Sequence, residues 1–443
     1  MDHGHLSMVA DTCQGVCAEP LRNAGGTDVK CGRRQRLLPP LRWGLALPAP
    51  WASQRVEPMA ALHGGFQARC GTTLTSKAFS NHGAKPHLAE FARTMTARLL
   101  REMTRTGRGF DKGRAVSALR PSGMQAGRAL ALHEGLRAVF PGRFKTGNPA
   151  AVALHTPMAL LCAAPPTGVL PPDTTHAQTC LPEPAALRDR GLWAARGDGA
   201  LHSWRHVPEA GGFLRSRAKA GLNPQGLEAF RAEGNRFRAL RHKPLQTIDA
   251  TRPTRQRVDL VGQWPVDGGP LGRRLIFRGH RRPKSVGSCL TNLPCHRDPL
   301  EGIGRADNWR GHVEVLLKAW QSSAHVPAFE TANPTRVEGL LWTAMAAAAL
   351  TRFLAPMTHR LAEVPMSTRK GAMGAIPVLG TLVEAFKRGD LAGLYAALET
   401  ALTSLACQAQ RAHPKRERQT GRAQLGLAPY FENDGMIEFA EAA

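Results

Sequence analysis

Trp309-Arg310-Gly311-His312-Val313-Glu314-Val315-Leu316-Leu317-Lys318 is the stretch on which the reading of this chain turns. Arg310, Glu314 and Lys318 recur every fourth residue, so on a helix they share one face. Two readings of that face stand side by side. One is an ordinary solvated stripe of i,i+4 ion pairs, each contributing roughly 0.2–0.5 kcal/mol. The other is a functional motif, and the choice between them rests on the surrounding sequence.

Working outward, further blocks come in order. Upstream lie Leu290-Thr291-Asn292-Leu293-Pro294, Gly211-Gly212-Phe213 and Ala194-Ala195-Arg196-Gly197-Asp198. Earlier still are Gln125-Ala126-Gly127 and Phe140-Pro141-Gly142-Arg143-Phe144, the latter followed by Pro149-Ala150-Ala151-Val152 and Leu154-His155. Downstream runs Ala409-Gln410-Arg411-Ala412-His413-Pro414-Lys415-Arg416.

Patterning divides the chain. Residues 1–30 are Gly-rich and polar, without periodicity, and are expected to be disordered. Residues 33–110 suggest a small helical N-terminal domain that touches DNA. Within it, Phe91, Met95, Leu99, Leu100 and Met103 recur at spacings of three and four, which predicts a helix over 86–106. Pro39, Pro40, Pro48 and Pro50 break any long helix before it.

From about 120 the pattern is mixed α/β. Val152–His155 and Leu160-Leu161 read as short buried strands between Pro- and Gly-rich turns. Residues 213–300 read as β-rich, with strands at 257–261 and 274–277 and a hairpin turn at Gly268-Gly269-Pro270. From 301 to 432 the reading is helical. Leu340, Leu341, Ala344, Ala348 and Leu350 predict one Ala-rich core helix; Leu379, Leu382, Val383 and Phe386 predict another. Gly287-Ser288-Cys289, and Arg215 in an apolar run, read as breaks between local pattern and global fold.

The 443 residues allow two or three domains, with ample length for a core. The net charge is +25 and the isoelectric point about 10.8. Two accounts fit that charge: a polyanionic partner, nucleic acid above all, or the Arg-rich, Tyr-poor product of a GC-rich gene. A membrane surface fits less well, because no amphipathic basic helix stands out. The longest apolar run, Leu340 to Ala355, is too short for a bilayer and contains Arg352. No apolar segment follows the early Asp2, His3 and His5, so no signal peptide is read. Nine scattered cysteines include no C-x-x-C pair. They read as reduced thiols, with His3, His5, Cys13 and Cys17 the one grouping that could be imagined to bind metal.

Taken together and in order, the blocks resemble bacterial insertion-sequence DDE transposases of the IS-four type, over roughly residues 33–432. Ala194–Asp198 resembles the family's A-D-R-G-Y, Leu290–Pro294 its L-T-N-L-P, and Trp309–Lys318 its W-R-W-Q-V-E-L-L-F-K. The resemblance implies an RNase H-like catalytic core interrupted by an inserted β-rich domain at 213–300. The first part of that core would be 120–212, and its helical part, with the C-terminal helices, 301–432.

The resemblance also implies DNA cleavage and strand transfer by in-line phosphoryl transfer. Two divalent ions, Mg²⁺ or Mn²⁺, bracket the scissile phosphate in that chemistry, and hard cations of this kind want carboxylate oxygens. Glu314 stands at the family's glutamate, the expected metal ligand. Arg310 stands at the arginine that meets a DNA phosphate. Lys318, one helical turn beyond Glu314, and Arg411, Lys415 and Arg416 of the tail are read as further DNA contacts on their charge, to which Arg281, Arg282, Lys284, Arg418 and Arg422 add. The implied partner is the double-stranded DNA of transposon ends, bound by a homodimer in the cytoplasm of a bacterium, at the nucleoid.

The departures fall on the chemistry. Ala126 and Ala195 occupy the two aspartate positions. Asp307, Gly311 and Gln321 replace a tyrosine, a tryptophan and a lysine of the pattern. A methyl group cannot ligate Mg²⁺, and altering even the partners of metal ligands typically costs about 10–100-fold. Asp198 is three residues past Ala195, on a strand roughly 10 Å away and on the opposite face. Asp189 and Glu134 are more distant in sequence. The sequence thus predicts a catalytically impaired copy that keeps DNA binding, or else a decayed element without function.

Overall fold

The computed structural model describes residues 59–70, 73–110, 122–144, 146–159, 170–194, 201–217, 225–231, 235–244, 258–266, 269–278, 287–293, 331–362 and 391–410, with isolated positions at 247, 367, 370–371, 374–375, 381 and 385. Over these residues the protein is mixed α/β, as read from the sequence. Expected elements at 1–30, 160–161 and 379–386 lie outside the described residues, apart from positions 381 and 385.

Three helices come first: α1 (Met59–Cys70), α2 (Ser76–Gly83) and α3 (Pro86–Phe110). Thr75 caps α2, its hydroxyl accepting the Ala78 N–H at 3.2 Å. Proline opens α3, where a missing N–H is harmless. The expected apolar face exists: Leu88, Phe91, Ala92, Leu99 and Leu100 are buried. Glu90 and Arg93 pair on the solvent side, 2.6 Å apart, a contact of small energetic value.

That apolar face meets α5 (Pro334–Ala362), some 240 residues later. Asn333 caps α5 by accepting the Arg336 N–H at 2.8 Å, with proline again at the first helical position. Leu340 to Ala349 are buried without a break. This is the all-round burial that the Ala-rich, charge-poor run predicts. Small residues let the two backbones close up: a Cβ on Gly339 would lie 3.4 Å from Ala89 Cα. Buried Thr96 donates across the junction to the Trp342 carbonyl at 2.9 Å. The last described helix, α6 (Leu391–Gln408), buries Leu398, Ala401, Leu402 and Leu405 and packs on α5.

Between α3 and α5 the chain forms a nine-stranded sheet in the order β2-β3-β1-β4-β5-β9-β8-β7-β6. The strands are β1 (Ser122–Ala131), β2 (Pro141–Phe144), β3 (Asn148–Ala159), β4 (Gly191–Ala194), β5 (Phe213–Arg217), β6 (Gln225–Arg231), β7 (Val258–Val266), β8 (Gly269–Arg278) and β9 (Gly287–Thr291). Strands β1, β4 and β5 run parallel. The other pairings are antiparallel. Helix α4 (Leu201–Glu209) makes the crossover that the parallel β4–β5 pair requires. Its Trp204 and Val207 pack with Leu187, Leu192, Leu214, Val258, Leu260 and Leu290 on one face. The expected hairpin is present, with Val258 through Val266 paired to Phe277 through Gly269 in unbroken register, but Gly269 and Pro270, expected in its turn, are the first residues of β8.

Two expected breaks in pattern are corrected. Gly287-Ser288-Cys289 is a strand, paired throughout with β8 and, at Cys289, with β5 as well. Pairing within the sheet offsets its weak strand propensity. Arg215 is 3% exposed, with its guanidinium 5.0 Å from the centre of the Trp193 ring. A flat, weakly hydrated cation over an aromatic face is compatible with burial.

The close α3–α5 approach sets a stability test. Gly339→Leu is expected to cost roughly 1–3 kcal/mol through overpacking. Gly64 lies inside α1 with open space where its Cβ would be, so Gly64→Ala is expected to gain about 0.5–1 kcal/mol. Urea-denaturation midpoints moving in opposite directions would bear out both assignments, whereas an unchanged Gly339→Leu would sink the first.

Candidate functional site

Of the sequence-predicted site residues, Ala126 is described, on β1 and in register with Thr156 of β3. Ala195, Arg310, Glu314, Lys318, Arg411, Lys415 and Arg416 lie outside the described residues, as do Arg281, Arg282 and Lys284. What the fold brings together is the strand that holds Ala126 and the strand that ends one residue before Ala195. Strand β1 pairs in parallel with β4, Met124 opposite Trp193. Ala126 stands two residues past Met124, and Ala194 one residue past Trp193. The two strands are therefore neighbours, about 4.8 Å apart, with β1 continuing to Ala131 and β4 ending at Ala194.

Two other blocks are also joined. Asn292, from Leu290–Pro294, accepts the Leu214 N–H at 2.6 Å and donates to the Gly212 carbonyl at 2.9 Å. One side chain thereby closes the entry to β5 against the exit from β9. Gly211 has φ +78°, and a Cβ on Gly212 would press on Leu187 O and Val207 Cγ1, both at 2.9 Å. The Gly-Gly pair is required by a left-handed turn and then by close packing. Neither role could be read from the sequence, because each depends on a contact between distant segments.

Of the alternative carboxylates Asp198 lies outside the described residues, and the other two stand apart. Glu134 is exposed in a one-turn helix after β1. Asp189 sits in the turn before β4 with φ 58°, its N–H bound to the Gly211 carbonyl at 3.0 Å. Among the described residues no group of three His, Cys, Asp or Glu side chains could hold a metal ion.

Displaced ionisation belongs to the helical layer. Burial, then the Lys85 charge, lowers the His87 pKa. The Arg93 hydrogen bond lowers that of Glu90. Burial lowers that of Arg336, whose guanidinium donates to Ser80 O at 2.8 Å and Thr331 Oγ1 at 3.1 Å. Arg336 thus ties the end of α2 to the start of α5.

A basic rim went unnoticed in the sequence. Residues 235–244 double back along β6, with Phe237 N donating to Ala229 O at 2.7 Å and Gly226 N to Lys243 O at 2.9 Å. Buried Leu240 and half-buried Phe237 anchor the segment. Arg236, Arg238 and Arg241 are left exposed on the outermost edge of the sheet. Arg236 has one acidic neighbour, Glu228 at 3.4 Å. Alternation of apolar anchors and arginines from 236 to 241 was the signal that could have found it.

Asn292→Ala should destabilise the fold by about 1–3 kcal/mol, because it strips partners from backbone groups next to the core. Asn292→Asp should be at least as costly, since it turns the donor facing Gly212 O into an acceptor. Thermal melts that leave both variants at the parental midpoint would refute the clamp.

No protein-family model matches the chain, and no curated protein does either. One solved structure with some likeness is the synaptic complex of piggyBac transposase with hairpin DNA. It is 9% identical, covers 95% of this chain and 91% of that one, and superposes with a TM-score of 0.44.

Proposed function

We propose that this chain is a transposase-like DNA-binding protein of the IS-four insertion-sequence type, with an RNase H-like core and impaired strand-cleavage chemistry. The observation that carries the reading is the parallel pairing of β1 with β4. A site built on carboxylates from two strands needs those strands adjacent, and the adjacency of β1, which holds Ala126, to β4, which ends one residue before Ala195, supports the reading. The order of the blocks and the clamp between Gly212–Leu214 and Asn292 add to it.

The residues present do not fit the family's metal pair. Positions 126 and 195 offer methyl groups, and Glu314 supplies one carboxylate where the chemistry uses three. No cleavage step is therefore assigned to this chain. Binding is a separate matter, since it needs cations rather than carboxylates. The rim of Arg236, Arg238 and Arg241, with the basic residues of 310–318 and 411–416, supplies them. The second reading, a decayed element without function, gains from the lost aspartates. The closed backbone register at β9 and the buried Arg215 weigh against it.

Two experiments test the proposal. Purified protein and an Ala126→Asp/Ala195→Asp variant are incubated with supercoiled plasmid and Mn²⁺. Nicking by the double variant alone is the expected result. Nicking by the parent would mean the aspartate positions are misplaced, and nicking by neither would favour decay. Separately, duplex binding should weaken steeply with salt, with a slope of about −0.9 per phosphate contact. Arg238→Ala/Arg241→Ala should flatten that slope by nearly one unit per residue removed. A salt-independent affinity would remove DNA from the list of partners.

A further inference from the structure

The turn from α2 into α3 gathers basic side chains. The imidazoles of His82, near the end of α2, and His87, the second residue of α3, meet edge to face with centroids 6.1 Å apart. Lys85 lies in the turn between them. Arg336 comes in from the start of α5 and donates to Ser80 O at 2.8 Å. The Nε2 atom of His87 is buried and meets no hydrogen-bond partner among the described residues. A neutral imidazole tolerates this by leaving Nε2 as a bare acceptor. An imidazolium makes both ring nitrogens donors, and a buried donor without an acceptor is costly.

Position adds to that cost. The first turn of α3 is the positive end of the helix dipole, where a cation is disfavoured. Burial and then the Lys85 charge already hold His87 below the ordinary histidine range. No carboxylate stands ready to offset a new charge among the groups of the corner. Glu90, one turn along α3, is engaged by the Arg93 guanidinium at 2.6 and 2.9 Å. Glu338 of α5 acts on that same arginine.

We infer that this corner is an acid-sensitive latch, in which a proton on His87 releases the start of α3 from α2 and α5. The place of His87 makes the release consequential. The next two residues, Leu88 and Ala89, are buried, and Ala89 is where the α3 backbone comes closest to Gly339. Moving a charged ring to water lifts this first turn and opens the seam at its tightest point. The sign is fixed by the direction of the displacement. The folded chain holds the proton more weakly than the unfolded chain, so the stability given by the neutral ring is complete above about pH 6.5. It is lost as the pH falls from there through the lowered folded value.

Urea unfolding of the full chain at about pH 7.5 and about pH 5.5 reads the latch. Compared with His87→Gln, which takes up no proton there, the parental folding constant should fall by up to about tenfold per pH unit below about 6.5. His87→Lys should show, already at the higher pH, the lowered midpoint that the parent reaches in acid. A His87→Gln midpoint that drops with acid as far as the parent's overturns the inference. So does a drop that is abolished by His82→Gln instead. An NMR titration of the histidine rings, with His87 assigned in the parent chain, keeps the test independent of how well any variant folds. The His87 ring should titrate below the ordinary histidine value, and a midpoint at or above that value also overturns the latch.

Discussion

Strand β4 stands between two sets of strands. On one side lie β1, β3 and β2; on the other, β5 and the antiparallel run β9-β8-β7-β6. Its four residues, Gly191 to Ala194, are all buried and bond in parallel on both sides. Parallel pairing over so few residues is weak by itself. It is held by what packs across it: Leu192 and Ala194 against Trp204 and Val207 on one face, Trp193 against Arg215 toward the other. The turn into β4 and the turn into β5 are also bonded to each other, with Asp189 N donating to Gly211 O and Phe213 N to Arg190 O. The two glycines of that second turn are part of the same constraint. Everything proposed about chemistry depends on this junction, because it sets β1, which holds Ala126, beside β4, which ends one residue before Ala195.

The sheet and the helical layer solve burial differently. The sheet sets large side chains such as Trp204, Leu214 and Leu260 against one face. The helices α3 and α5 use small ones, Ala89 and Gly339 at the contact and a run of alanines along α5. Close backbone approach replaces side-chain volume there, and polar groups appear where it is tightest: the Thr96 hydroxyl on Trp342 O, and Arg336 on Ser80 O and Thr331. Each reaches a backbone carbonyl or a hydroxyl, so these ties are made without an acidic partner.

Periodicity in the sequence was legible wherever burial is local. The face of Phe91, Leu99 and Leu100 and the alanine run of α5 each follow a helical repeat, and each is buried as read. The strands at 152–155, 258–261 and 274–277 are there for the same reason, although β7 and β8 run longer than their apolar cores. Reading failed where a distant partner decides. Gly287-Ser288-Cys289 looks unlike a strand until β8 pairs along all of it and β5 joins at Cys289. Arg215 looks like damage until Trp193 lies under it. Asn292 has no signature of a clamp, since the groups it holds lie about 80 residues upstream. As for the candidate site, Ala126 and its strand neighbours can be placed; Ala195 and Glu314 stand in segments outside the described residues.

The union of α3 with α5 also bears on how the molecule comes into being. Thr96 and Trp342 are 246 positions apart, and Ser80 and Arg336 are 256. During synthesis the apolar side of α3 emerges well before its cover, which is made 246 positions later. Contacts of such long range are slow to form, because loop closure must come before their gain. Until then the nascent protein presents Phe91, Leu99 and Leu100 to water, the kind of transient apolar surface that drives aggregation. Chain length between two packed helices thus makes this fold depend on the completion of its own translation, and any truncation before residue 334 would release a product with that surface permanently bare.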